Sequence, residues 1–232
     1  MIKKIFSAVI FILIFQFHAI GQVNNVLLKN VQAKLDKVTD YEAEGKMKTN
    51  VAFLKLPIAK VKMYFKNPNK FKLKSENGMS FVPKGSMSIN LNTVFASNKF
   101  TVIEAGTDKI ANTNVQVLKL LPDDDSGDLV LTTLYIDPIN NLILKSRTTT
   151  KENGTYELMM TYGNYSKFGL PDKIVFSFNT KDYKLPKGIT FDFDDGSAKN
   201  SAPKSNVPKK GEIEITIAKY QINKGISNEV FK

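Results

Sequence analysis

Cysteine and tryptophan are missing from the 232 residues, histidine occurs once, at His18, and Arg147 is the single arginine. Without cysteine there is no disulfide, no thiolate nucleophile, no thiol redox centre and no cysteine to carry a lipid anchor. The lone histidine sits in the N-terminal segment before Gln22, so Ser-His-Asp and Cys-His catalysis lose their base, and zinc sites lose their nitrogen and sulfur donors. No glycine-rich phosphate loop is present. Scarce arginine also argues against nucleic acid, whose readers rely on the bidentate guanidinium fork.

The first residues read as an export signal. Lys3 and Lys4 form a charged start, residues 5–17 are an apolar run too short for a comfortable membrane span, and Ala19-Ile20-Gly21 offers small residues for cleavage. Residues 1–21 are therefore expected to be a signal peptide, with the mature chain starting at Gln22 in the periplasm, not lipidated. No second long apolar run follows. The remaining residues, 22–232, fit one β-rich domain. Removing Lys3 and Lys4 takes the formal charge from +11 to +9, nearly all of it lysine. Lysines of this kind solubilise strands and blunt sheet edges, and they also attract anionic lipid headgroups in transient surface contact.

Residues 60–74 show the clearest pattern in the chain. Val61, Met63, Phe65, Phe71 and Leu73 are apolar, while Lys60, Lys62, Lys66, Lys70, Lys72 and Lys74 alternate with them. A period of two separates these sets onto opposite faces of a strand pair, and Asn67-Pro68-Asn69 is turn chemistry. The result is a β-hairpin with one apolar and one basic face. Upstream, Val23, Leu27, Val31, Leu35 and Val38 recur at spacings of four and three, which predicts an amphipathic helix over 23–39 with Lys29, Gln32 and Asp36 turned away. A long alternating strand follows from Tyr41 to Phe53. Asn77-Gly78 signals a tight turn into a short strand with Met79, Phe81 and Val82.

Residues 83–98, with Met87, Ile89, Leu91, Val94 and Phe95, are too apolar for a free loop and read as a strand or a loose helix covering one opening. Strands then run over 100–105, 115–121, 129–136, 142–151, 155–165, 174–178, 189–193 and 213–217. Breaks are expected near Gly106 and Asn112, at the acidic turn 123–128, at Asp137-Pro138 and at Asn153-Gly154. Residues 194–210 are rich in Gly, Ser, Ala, Asn, Pro and Lys and have little to bury, as in a flexible loop. One N-terminal helix and about ten antiparallel strands give an α+β, mainly antiparallel architecture: a strongly curved sheet or half-open barrel, with a two-sheet sandwich as the competing arrangement.

Little catalytic chemistry remains. Glu42 and Glu44 share the outer face of one strand, where neighbouring lysines are their natural partners. Asp192, Asp194 and Asp195 border the expected flexible loop, a poor place to hold a reacting geometry. The acidic turn 123–128 lacks the far acidic ligand of a calcium loop. No metal or cofactor is called for, and the balance favours binding over catalysis.

The order of these segments resembles the periplasmic lipoprotein carriers of the LolA/LolB type. The resemblance rests on the helix leading into a long strand, and on the proline-centred hairpin Tyr64-Phe65-Lys66-Asn67-Pro68-Asn69-Lys70-Phe71-Lys72-Leu73. It continues with Val117-Leu118-Lys119-Leu120-Leu121-Pro122, with Leu134-Tyr135-Ile136-Asp137-Pro138 and the strand Leu142-Ile143-Leu144-Lys145, and with Tyr162-Gly163-Asn164-Tyr165. It closes on the tail from Tyr220 to Phe231. It implies an incomplete barrel of about ten strands, with an N-terminal helix and a lid segment over an apolar cavity that takes acyl chains of a lipoprotein or lipid. Met47, Phe53, Val61, Met63, Phe65, Phe71, Leu73, Phe81 and Met87 are the expected lining, in a monomer without nucleic-acid partners. Relatives of this type also include a regulator of envelope stress signalling, so an envelope sensor or adaptor of the same fold is the alternative role.

Overall fold

In the computed structural model, residues 20–50, 58–76, 80–81, 95, 99–124, 126–152, 154–179 and 210–232 are described, with backbone alone at 20–25, 80–81, 179 and 210. Helix α1 spans Ile20–Leu35. Eleven strands follow: β1 Asp40–Asn50, β2 Ala59–Lys66, β3 Lys70–Ser75, β4 Ser80–Phe81, β5 Phe100–Ile110, β6 Thr113–Pro122, β7 Leu129–Asp137, β8 Leu142–Thr150, β9 Gly154–Thr161, β10 Lys173–Asn179 and β11 Lys210–Ile222. They form one sheet in the order β4-β3-β2-β1-β11-β10-β9-β8-β7-β6-β5, with the two-residue β4 at one edge and β5 at the other. Each recorded strand pairing is antiparallel. The half-open barrel expected from the sequence is the architecture found, and the sandwich is not.

The alternation of apolar and polar residues sets the register. Across β1, β2 and β3, Tyr41, Phe65 and Phe71 lie side by side, as do Ala43, Met63 and Leu73. Slipping any of these strands by one residue would turn lysines into the core and phenylalanines into water, so the pattern itself excludes other pairings. Helix α1 supplies the cover. Leu27, Leu28, Val31 and Leu35 of its buried stripe join the inward side chains of the strands in one hydrophobic cluster. The helix stops at Leu35, four residues short of the predicted end. Val38 nevertheless stays in the core, because its N–H still bonds the Leu35 carbonyl in a turn that aims the chain into β1.

β5 and β6 are longer than their apolar runs. The polar residues around Gly106 do not end β5; a register shift between Glu104 and Thr107 absorbs them, and pairing resumes to Ile110 opposite Thr113. Gly106 has φ +82°, the conformation that lets a bulge form without a Cβ clash.

β1 and β11 meet at a second irregularity, between Glu44 and Gly45. A Cβ placed on Gly45 would lie 2.4 Å from the carbonyl oxygen of Thr216. That oxygen is backbone and cannot swing aside. Gly45→Ala is therefore expected to push β1 and β11 apart and to destabilise the protein by about 1–3 kcal/mol, as overpacking does. At this chain length the midpoint of thermal unfolding should fall by about 2–4 °C for each kcal/mol. An unchanged midpoint would mean that the two central strands tolerate a wider spacing.

Candidate functional site

The concave face of the sheet, covered by α1, is where the expected binding residues converge. Met47, Val61, Met63, Phe65, Phe71 and Leu73 all belong to the central hydrophobic cluster, Phe65 at 0% exposure, Met63 at 1% and Met47 at 3%. Phe81 pairs with Leu73 through the backbone in the short edge strand β4. Phe53, Met79 and Met87 lie outside the described residues, as do the Asn77-Gly78 turn, the strand at 189–193 with Asp192, the carboxylates Asp194 and Asp195, and most of the loop expected at 194–210. So do residues 1–19 of the expected signal and, apart from Phe95, the covering segment at 83–98. Phe95 is half-buried and packs against the cluster.

A floor of aromatic rings packs where β1 begins and β11 ends. Tyr41 stacks 5.4 Å from Phe65 and meets Tyr220 edge-on at 5.2 Å; Tyr165 meets the other side of Tyr220 at 4.8 Å. The Tyr220 hydroxyl donates to the Pro171 carbonyl, and the Tyr162 hydroxyl to the Ile143 carbonyl, both at 2.8 Å. Burial pushes the phenols of Tyr41, Tyr162 and Tyr220 above their ordinary value of 10.0, the last well above it, with neighbouring Tyr41 adding to the effect on Tyr220. A phenol held protonated in the fold and free to ionise in the unfolded chain stabilises the fold below pH 10, and that stability is lost as the pH rises further. Absorbance titration should therefore show these three tyrosines ionising together with unfolding, in a cooperative alkaline transition rather than at ordinary phenol pH. Independent titration of all eight tyrosines in a folded protein would contradict the packing of this floor.

The sequence gives no hint of a polar strip within the same interior. Thr132 and Thr148 face each other across β7 and β8 with hydroxyls 3.2 Å apart, and Ser146 lies beside Leu134 and Leu158 with its buried hydroxyl unpartnered among the described residues. Such hydroxyls are readable as inward-facing only once the register is known, since β8 (Leu-Ile-Leu-Lys-Ser-Arg-Thr-Thr-Thr) is polar on both sides over its second half.

The basic face of the β2–β3 hairpin differs from the simple solvated face its lysines suggest. Lys66, Lys70 and Lys72 hold down the last residues of the chain: their ammonium groups donate to the Ile226 carbonyl at 2.7 Å, Asn228 Oδ1 at 3.0 Å and the Lys232 backbone oxygen at 2.5 Å. Lys72 is only 8% exposed as a result. Lys62 instead reaches back to β1, 3.1 Å from Glu42 and 3.4 Å from Glu44, so these two carboxylates are occupied as ion-pair partners. The acidic turn is likewise committed to the backbone. Asp124 accepts from the Ser126 N–H and hydroxyl, which lowers its pKa, and Asp128 accepts from the Glu152 N–H. Among the described residues no three acidic or histidine side chains come close enough to hold a metal ion.

One open antiparallel sheet curls around helix α1, with β11 inserted beside β1. It recurs in solved structures. A domain assigned to outer membrane lipoprotein sorting, from Vibrio parahaemolyticus, superposes with a TM-score of 0.58 over 90% of this chain and 96% of its own, at 9% identity. A LolA superfamily protein from Nitrosomonas europaea gives 0.52 over 88% and 96%, at 12% identity. The fold is LolA-like. A DUF1329 family protein from Desulfovibrio piger gives a TM-score of 0.50 over 88% of this chain and 95% of its own, at 11% identity. At these identities the likeness is one of fold. No protein-family model matches the chain. No curated protein matches its sequence.

Proposed function

We propose that this LolA-like protein is a periplasmic, non-enzymatic carrier that shields the acyl chain of a lipid or lipoprotein within its half-open barrel, in lipoprotein sorting. The observation that carries the reading is the contrast between the two faces of β1–β3, where the inward side chains are apolar apart from Ser75 and are covered by helix α1 rather than by another strand. A helix packed by side chains alone can be exchanged for another apolar body without breaking a backbone ladder. Each methylene taken out of water contributes about 0.8 kcal/mol, so one acyl chain replacing part of the α1 stripe gains affinity with no specific polar contact. Met47 and Met63 are adaptable enough to repack around either occupant. The expected signal at 1–21 and the lack of cysteine fit a soluble protein beyond the inner membrane.

Mass spectrometry of gently purified protein and a titration with a fluorescent fatty acid test the proposal together. Co-purifying lipid and saturable uptake are expected; absence of both would overturn it. The near-complete burial of Met63 and Phe65 favours a second reading, in which the interior is filled by the protein's own side chains and the molecule acts through its surface as an envelope sensor or adaptor. Crosslinking that recovers one protein partner, with no lipid, would support that reading.

A further inference from the structure

The outer face of the sheet, opposite the proposed lipid interior, carries a groove of about 500 Å3 over β5–β8. Its size falls within the range of small-molecule sites. Its floor is a row of register neighbours on three successive strands: Lys119 on β6, Thr133 on β7 and Arg147 on β8. Adjacent strands lie about 4.8 Å apart, so two cations flank one hydroxyl at a separation that their long side chains can close from both sides. Thr133 is 8% exposed and therefore fixed, whereas the two cations stand in solvent.

These charges are not consumed by the fold. Among the described residues Arg147 has one ion-pair partner, Glu157, at 3.9 Å from Nε, which is too long for a hydrogen bond. Glu157 is held more closely by Lys145, at 3.2 Å. The guanidinium thus keeps its planar fork of donors, the geometry suited to anionic oxygens. Lys119 has no ion-pair partner among the described residues. The opposite wall comes from β5, where the shift at Gly106 brings Thr107 and Asp108 to the groove. Asp108 accepts the Lys109 N–H with one oxygen, at 2.7 Å, and adds a carboxylate acceptor to a site otherwise rich in donors.

We propose that this groove binds a phosphate group carried on a small hydroxylated scaffold such as glycerol. A phosphate presents oxygens in three directions, matching an ammonium on one side, a guanidinium on the other and a hydroxyl beneath; a carboxylate has oxygens for only two of them. Asp108 disfavours a bare anion and favours a ligand with hydroxyl groups to donate to it. The same chemistry is found in a free phosphorylated polyol and in a phospholipid headgroup, and the experiment separates the two. The site is independent of acyl-chain binding in the interior.

Calorimetric titration with glycerol 3-phosphate, and flotation with phosphatidylglycerol vesicles, should be run on the wild-type protein, on the double variant K119Q/R147Q and on R147K. Saturable binding of glycerol 3-phosphate that weakens at least about tenfold in the double variant, and partly in R147K, supports the site with a soluble ligand. Vesicle binding that depends on the same side chains, without uptake of glycerol 3-phosphate, supports it with a membrane headgroup as the source. Because R147K keeps the surface charge, its loss of binding reads the fork rather than the general field of a basic protein. No binding in either arm, or equal binding by wild type and the double variant, overturns the proposal. Fatty-acid uptake should be unaffected by these substitutions, so the failure of one reading leaves the other standing.

Discussion

Phe65→Ala is expected to destabilise the protein by about 3–5 kcal/mol, the range for deleting a fully buried aromatic ring. Among the described residues Phe65 is the largest side chain with no exposure, and it stands in the middle of the Tyr41–Phe65–Phe71 row. Its ring touches the aromatic floor through Tyr41, so the cavity left behind cannot close without disturbing Tyr41 and, behind it, Tyr220. Phe71 offers the internal control. It lies on the same face but one strand nearer the edge, beside the 67–69 turn, and Phe71→Ala should be tolerated better. Urea unfolding followed by far-ultraviolet circular dichroism would measure both. Equal losses at the two positions would mean that the interior is less tightly packed around the floor than the geometry shows, and that would favour an open acyl-chain cavity reaching to the end of the barrel.

The second large effect is expected at Asp40. This buried carboxylate accepts the Lys224 N–H at 2.9 Å and the Gly225 N–H at 3.0 Å through Oδ1, while its own carbonyl accepts the Asn223 N–H at 2.9 Å. Asn223 completes the knot, with Oδ1 accepting the Thr39 N–H and Nδ2 donating to the Lys37 carbonyl, both at 2.8 Å. The end of α1, the start of β1 and the end of β11 are thus tied at one point. Asp40→Ala strands two backbone donors and removes two charge-assisted bonds worth about 1.5–3 kcal/mol each, so a total loss of about 3–6 kcal/mol is expected. Asp40→Asn keeps one carbonyl oxygen and should lose roughly half as much. Hydrogen exchange at Lys224 and Gly225 should accelerate in both variants, and more in the alanine. If asparagine were as damaging as alanine, the charge rather than the acceptor geometry would be the source of stability.

Local patterns in this chain were legible and long-range ones were not. The 60–74 hairpin could be read because its lysines and apolar residues alternate, with Tyr64 the one exception, around a proline-centred turn. The helix could be read because Leu27, Val31 and Leu35 keep helical spacing, though its end could not, since Val38 continues the stripe after the backbone has left it. β5 read as ending near Gly106 because a polar run there is indistinguishable from a loop until the opposite strand β6 is in place. The same limit hid the Lys119–Thr133–Arg147 row, whose members are 14 residues apart in each step and become neighbours only through the register of β6, β7 and β8. The lysine face looked like plain surface because nothing in the composition of 223–232 announces that its carbonyl and amide oxygens will seek three ammonium groups.

The position of β11 has a consequence in time as well as in space. Among the described residues, β1–β4 and β5–β10 form two meanders that touch within the sheet only through β11, which pairs with β1 on one side and β10 on the other. Tyr41 therefore waits for Ile222. Until the last strand is made, β1 and β10 are both unprotected edges with apolar inner faces, open to pairing with whatever strand arrives first. The final thirteen-residue strand acts as a keystone, and assembly of the sheet cannot be completed from the N-terminus forward. A polypeptide with this layout is ill suited to folding in stages as it is made.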